Sequence, residues 1–245
     1  MENSKVVMIT GGARRIGAEL VRHLHRHEMR VILHYRNSES DARSLADELN
    51  ARRSNSVRLL QGDLTEYAKI PALMGRAFSF FERLDALVNN ASTFFPTAIE
   101  NINEAAWERL VGTNLKAPLY LIQAAVPYLE STGGCVVNIV DIHAGRPLKG
   151  YPLYSISKAG LAMLTRSMAR ELAPGIRVNG IAPGAIMWPE AEHYEAMHEE
   201  IISRTALKRE GSPRDIADAA LFLIRHANYV TGQVIAVDGG RTLSN

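Results

Sequence analysis

Seven short runs of apolar residues, rich in β-branched side chains, recur along the chain, and they are apolar from end to end rather than at every second residue. A strand with one face in water shows a period of two; a strand apolar throughout is buried on both faces. That condition is met by a parallel sheet sandwiched between two layers of helix. The intervening segments have the longer, helical spacing such crossovers need. "KVVMIT" is followed by a helical pattern over 15–28, "RVILHY" by 40–53, "VRLLQ" by 66–82, "DALVNN" by 103–130 and "CVVNIV" by 152–173. "IRVNGIA" precedes helical stretches near 190–204 and 213–225, and "QVIAVDGG" closes the series. The pattern predicts an α/β fold: a single doubly wound domain over residues 1–245, with about seven parallel strands between helix layers.

Composition fits one domain. At 245 residues with 47% hydrophobic side chains, the chain can bury one large core. Its 28 Lys and Arg against 26 Asp and Glu leave a net charge of +2, which argues against a general nucleic-acid binder and leaves anion affinity to local clusters. A single cysteine, Cys135, excludes an internal disulfide and suits a buried thiol in a cytoplasmic protein. The apolar run at the N-terminus spans five residues, too few for a signal peptide, and no stretch approaches the roughly 18 apolar residues of a membrane span. The eight histidines show no ligand spacing with acids or the cysteine, so no metal site is expected. The least regular piece, 184–205, follows Pro183 and Gly184 and suits either a substrate lid or an ordinary solvated helix pair.

The first strand runs into "TGGARRIGAELV". A glycine turn between a strand and a helix aims backbone N–H groups and the helix N-terminus at an anion. Gly11, Gly12 and Gly17 are present in the first βα unit, which marks a Rossmann-type dinucleotide site. An NAD site would place an acidic residue after the second strand; this chain has Tyr35, Arg36, Asn37 and Ser38 there. Arg36 can grip a 2′-phosphate, with Ser38 and His34 as further donors, so NADPH is the expected cofactor. Arg15 stands where many such turns keep a glycine, and can touch the pyrophosphate, reach toward substrate or point to solvent.

Tyr154 and Lys158 are four residues apart at the start of a predicted helix, so they share a face. A neighbouring ammonium would lower the tyrosine's pKa and make it a proton donor near neutral pH. Asp141 ends the fifth strand 13 residues before Tyr154. A carboxylate there is a poor partner for a ketone oxygen, because it would repel the developing alkoxide; it suits ring N–H groups, or serves as a proton source when held neutral.

With "TGGARRIG", "NNAS" at 89–92, Asn114 in "GTNLKAPLY", "YSISK", "PG" at 183–184 and "VTGQVIAVDGG", the chain resembles the short-chain dehydrogenase/reductase family over essentially its whole length. The resemblance implies that Tyr154 is the acid, that Lys158 lowers its pKa and holds the nicotinamide ribose, and that Asn114 supports a proton relay. It implies a cofactor site from Gly11, Arg15, Ile16, Gly17, His34 to Ser38, Asp63, Leu64, Asn90, Ala91, Tyr154, Lys158, Pro183, Gly184 and Ile186. It also implies a homotetramer.

Most members carry a serine at the position of Asp141. That departure, with Arg15, "LHYRNS" and "NNASTFFPT", is similar to the pteridine reductase branch. The likeness implies Ser92 and Phe94 as pterin contacts, Arg15 near the pterin oxygen, and Asp141 and Tyr154 together protonating a ring nitrogen. Met187 and Trp188 are expected to wall the substrate pocket, while His143 reads as a loop histidine. The expected activity is NADPH-dependent reduction of a dihydropterin or dihydrofolate. Its rivals are a 3-oxoacyl thioester or other ketone reductase, and a catalytically idle NADPH-binding regulatory protein.

Overall fold

A computed structural model describes residues 4–186 and 195–243, with the side chains of 195–198 excepted. One seven-stranded sheet draws strands from both ends of the chain, in the order β3-β2-β1-β4-β5-β6-β7, all pairs parallel. The strands are β1 Val6–Ile9, β2 Arg30–Tyr35, β3 Val57–Gln61, β4 Ala86–Asn89, β5 Cys135–Ile139, β6 Arg177–Pro183 and β7 Val234–Val237. The helices are α1 Arg15–Arg26, α2 Glu39–Arg52, α3 Ile70–Ser79, α4 Glu104–Val111, α5 Ala117–Glu130, α6 Pro152–Glu171, α7 Glu195–Ser203 and α8 Pro213–Arg225.

The unbroken apolar strands are explained by two cores. Val7 and Ile9 of β1, with Leu33 of β2, pack on one face against α1, α2 and α8. Val6 and Met8, with Ile32 and Leu87, pack on the other face against α3, α5 and α6. The central strands β1, β4 and β5 therefore bury both of their alternating sets, while the edge strands β3 and β7 stay partly exposed. Cys135 is buried in the first of these cores, and burial raises its thiol pKa.

The strand order turns back at β1, whose neighbours are β2 and β4. In such a sheet the crevice beyond the carboxyl ends at this reversal is where a ligand fits. The turn after β1, the segment after β4, Asp141 after β5 and Gly184 after β6 all emerge there.

Two expected helices are modified. The pattern over 66–82 resolves into a 3-10 turn, Tyr67–Lys69, leading into the shorter α3. The pattern over 103–130 is divided by a π-helical turn, Gly112–Lys116, between α4 and α5. Local capping begins α4, where the Asn103 side chain accepts from Ala106 N. A reciprocal capping box of Ser212 and Asp215 begins α8.

Leu87, fully buried on the central strand β4, should be costly to truncate. Leu87→Ala is expected to lower unfolding stability by about 2–5 kcal/mol in urea denaturation, whereas Leu207→Ala, at 63% exposure, should change it by less than about 0.5 kcal/mol.

Candidate active site

The turn after β1 is built for close approach. Gly11 has φ +63°, and a Cβ on Gly17 would stand 2.1 Å from the Gly11 carbonyl oxygen. No residue with a side chain fits at Gly17 while that backbone stays in place. Asn90, just past β4, fastens the turn by donating from Nδ2 to the carbonyls of Thr10 at 2.9 Å and Gly11 at 3.1 Å. Thr10 answers by accepting the backbone amides of Asn90 and Ala91 on Oγ1, both at 3.0 Å. Arg15 sits at φ +51°, a left-handed conformation that costs a non-glycine residue about 1–2 kcal/mol. The chain accepts that cost and sets the Arg15 side chain on the wall of a cavity of about 950 Å³. Ile16, the next residue of α1, lines the same cavity.

Tyr35, Arg36, Asn37 and Ser38 line this cavity from the end of β2, with Asp63 and Leu64 beside them from the end of β3. Arg36 is about half exposed and stands 3.8 Å from Asp63. Burial works to raise the Asp63 pKa, but the Thr65 hydroxyl and amide, with Arg36, hold it below the ordinary value. The expected role of His34 as a phosphate donor is not met. Its Nδ1 accepts from Gly11 N at 3.3 Å and its Nε2 donates to the Gly62 carbonyl at 3.1 Å. Both ring nitrogens are committed to joining two loops, and burial lowers its pKa to about 4. His34 is therefore a neutral brace of the turn.

Asp141, Tyr154, Lys158 and Asn114 come together from three elements. The Tyr154 hydroxyl donates to Asp141 Oδ2 at 2.7 Å, and Asp141 Oδ1 accepts the backbone amide of His143 at 2.8 Å. Lys158 is buried, with Nζ donating to the Ile139 carbonyl at 2.9 Å and lying 5.8 Å from the centre of the Tyr154 ring. The expectation that Lys158 lowers the Tyr154 pKa is reversed here. Burial, and then the charge and hydrogen bond of Asp141, push that phenol well above its ordinary value. Tyr154 therefore holds its proton, and holds it toward a carboxylate.

Asn114 lies in the π-helical turn, fully buried. Its Oδ1 accepts from Ser92 Oγ at 3.0 Å and Thr93 N at 2.8 Å, while its Nδ2 donates to the Thr93 carbonyl at 3.0 Å and Ser157 Oγ at 3.1 Å. These four bonds use the full capacity of the amide. They tie the segment after β4 to α6, which carries Tyr154 and Lys158.

Phe94 is not a core aromatic: it is 56% exposed and lines the cavity. Its ring stacks on Tyr151 at 4.6 Å and 9°, and meets Tyr154 edge-on at 4.7 Å. Ser92, Gly184 and the largely buried Ile186 line the same cavity, with Pro183 ending β6 beside them. His143, expected as a loop histidine, lies in the 3-10 turn Ile142–Ala144 at the cavity wall, its Nδ1 held by the Arg146 carbonyl at 2.9 Å. Met187 and Trp188 lie outside the described residues, as do residues 189–194 of the 184–205 stretch; Ile201 of α7 does reach the cavity. Tyr151 was missed by reading the sequence, although "YPLY" places it three residues before Tyr154 at the helix entry. Lys149 and Arg241 were missed as well, since nothing in their local sequence sets them apart from surface cations. Among the described residues, no group of three or more acids, histidines or cysteines could hold a metal, and no helix is long and apolar enough to cross a membrane.

A family model described as enoyl-(acyl carrier protein) reductase matches residues 11–242. The chain belongs to the short-chain dehydrogenase/reductase family. Among short-chain dehydrogenase/reductase relatives, pteridine reductase 1 of Leishmania tarentolae is 34% identical, over 98% of this chain and 96% of its own. The 3-oxoacyl-(acyl-carrier-protein) reductase of Staphylococcus aureus strain Mu50 is 32% identical, over 98% and 99%. A putative ketoacyl reductase 2 of the granaticin polyketide synthase of Streptomyces violaceoruber is 34% identical, over 97% and 96%. Membership makes the chain an oxidoreductase, and reductases of this family use NAD(P)H.

Burial lowers the Lys158 ammonium from 10.5 to about 8, against a smaller opposing pull from Asp141. Between those two values the unfolded chain holds a proton that the folded chain does not. The cost of keeping Lys158 charged, complete below pH 8, is thus relieved as pH rises. Denaturation at stepped pH should show stability rising from about pH 8 toward 10.5 by roughly 3 kcal/mol relative to Lys158→Met, a comparison in which the Tyr154 contribution cancels. A flat difference between the two proteins would mean that the buried amine keeps its proton.

Proposed function

We propose that this protein reduces a dihydropterin, of the dihydrobiopterin, dihydromonapterin or dihydrofolate type, with NADPH as reductant. The observation that carries the reading is the Tyr154 to Asp141 hydrogen bond of 2.7 Å. A simple ketone needs neutral donors around its oxygen, and a carboxylate pointed at that place opposes the charge that develops there. A cyclic imine needs the reverse: an acceptor for ring N–H groups, and a proton for the nitrogen beside the reduced carbon.

The residues present fit a nicotinamide dinucleotide phosphate. The glycine turn, where Gly17 lets α1 close on the Gly11 carbonyl, and the start of α1, whose Arg15, Ile16 and Gly17 line the cavity, suit a pyrophosphate. Arg36, with Asn37 and Ser38, suits a 2′-phosphate, since positions 35–38 offer no carboxylate to receive a free ribose hydroxyl. Asp63 and Leu64 would flank the adenine, Asn90 and Ala91 the middle of the molecule, and Tyr154, Lys158 and the Pro183 to Ile186 segment the nicotinamide end. Bound there, NADPH supplies a hydride to the imine carbon.

The chain's own residues do the rest. Phe94, backed by Tyr151, offers an aromatic face for the pterin ring. Ser92 and Arg15 offer donors to its oxygen and nitrogen edge. Asp141 accepts from the ring's N–H groups and holds the Tyr154 hydroxyl in place. Tyr154, kept protonated by burial and by Asp141, releases its proton to the ring nitrogen as negative charge builds there. Lys158, fixed by the Ile139 carbonyl, lies behind the ring of Tyr154, and Asn114 holds Ser92 and α6 in one frame. In this reading the working form is a cytoplasmic homotetramer.

Asp141→Ser should lower dihydrobiopterin turnover by about a hundredfold or more while NADPH binding stays within about twofold; full turnover in that variant would remove Asp141 from the scheme. The assay is loss of reduced-nicotinamide absorbance with dihydrobiopterin, dihydrofolate and an acetoacetyl thioester side by side. Turnover of the thioester alone would favour the ketoacyl reductase activity named in two of the relatives. In a separate titration, Arg36→Asp is expected to reverse the preference for NADPH over NADH, because it removes the phosphate's partner and supplies an acceptor for the ribose.

A further inference from the structure

Five basic side chains line the cavity, Arg14, Arg15, Arg36, Lys149 and Arg241, against two acidic ones, Asp63 and Asp141. The acids are already engaged. Asp63 is bonded to Thr65 and close to Arg36, and Asp141 is bonded to Tyr154 and the His143 amide. Arg14 is paired with Asp41 at 2.7 Å. Arg14 and Arg36 stand at the glycine turn and the end of β2, where the cofactor's phosphates are accounted for, and Arg15 is already assigned to the pyrophosphate and the pterin edge.

Lys149 and Arg241 reach the cavity from other elements. Lys149 is in the loop before α6, two residues from Tyr151, whose ring backs Phe94. Its flanks are pinned: Leu148 N donates to Ser155 Oγ at 3.2 Å, and the Gly150 carbonyl accepts from Thr97 N at 2.8 Å. Arg241 follows β7 in a turn held by Asp238, which accepts the amides of Gly240 at 2.9 Å and Thr242 at 2.8 Å. Among the described residues neither cation is paired with a carboxylate. Two cations on fixed backbone, facing one cavity without counter-charge, are suited to receive an anion.

We propose that Lys149 and Arg241 form a subsite for an anionic substituent on the pterin ring, a carboxylate or a phosphate at the end of its side chain. The inference rests on the dihydropterin reading above and deepens it. On that reading the ring lies against Phe94 with its N–H edge toward Asp141, and its substituent is left to the exposed part of the cavity wall, to which Lys149 belongs. The preferred substrate is then a pterin whose tail ends in charge rather than one with a short neutral tail.

The experiment is the ratio of kcat/KM for an anionic pterin to that for neutral dihydrobiopterin, measured in the parent protein, Lys149→Gln, Arg241→Gln and the double variant. Dihydrofolate supplies the carboxylates and dihydroneopterin monophosphate the phosphate, so the larger effect identifies the tail. The double substitution should lower the ratio about tenfold, and added salt should lower it in the parent protein but far less in the double variant. Lys149→Glu should lower it further. An unchanged ratio, with both pterins still reduced, would overturn the subsite and leave the pterin reading standing. A rise in KM for NADPH in place of the change in ratio would assign the two cations to the cofactor and overturn it too. If no pterin were reduced at all, the reading and the subsite would fall together.

Discussion

The approach of α1 to the turn before it is the constraint on which the site depends. Gly17 leaves room for the Gly11 carbonyl, and Asn90 then bonds that carbonyl and its neighbour from the adjacent strand end. One contact sets the helix angle and the other sets the distance between the ends of β1 and β4. The segment after β4 continues directly into Ser92, Thr93 and Phe94, so the place for the phosphates and the place for the substrate ring belong to one connected piece of backbone. The brace at His34 belongs to the same construction. A neutral imidazole can accept from one loop and donate to another, a task open to neither lysine nor arginine.

The acid pair follows a different logic. In water a tyrosine and an aspartate next to each other would each be free to turn away. Here Asp141 is fixed by the amide of His143, and Tyr154 is fixed on a buried stretch of α6. A desolvated phenol bonded to a carboxylate keeps its proton and keeps it aimed. Lys158, also desolvated, is held by a carbonyl behind the tyrosine ring, so its influence on the phenol is smaller than that of Asp141.

Much of this was legible in the sequence because it follows from local pattern. The apolar runs announced a parallel sheet, the glycines a phosphate turn, and Tyr154 with Lys158 a shared helix face. What escaped reading depends on distance through space. The sign of the Tyr154 shift could not be read from the spacing to Lys158, because it is decided by burial and by which charge stands at the hydroxyl. His34 looked like a donor because it lies near the end of β2, yet its nitrogens are consumed by Gly11 and Gly62, the latter 28 residues away. Phe94 was read as a ring contact, but Tyr151 stacked behind it required two loops to be placed side by side.

The π-helical turn at Gly112–Lys116 does more than hold Asn114. Each residue of an α-helix advances about 100° around the axis, so one additional residue in a turn changes the direction in which everything after it faces. On one side of the turn α4 lies against α6, and on the other α5 lies against α3. The turn acts as a swivel within what the sequence presents as one long amphipathic stretch. It lets a single run of chain serve the active-site helix with its first half and the sheet's outer layer with its second.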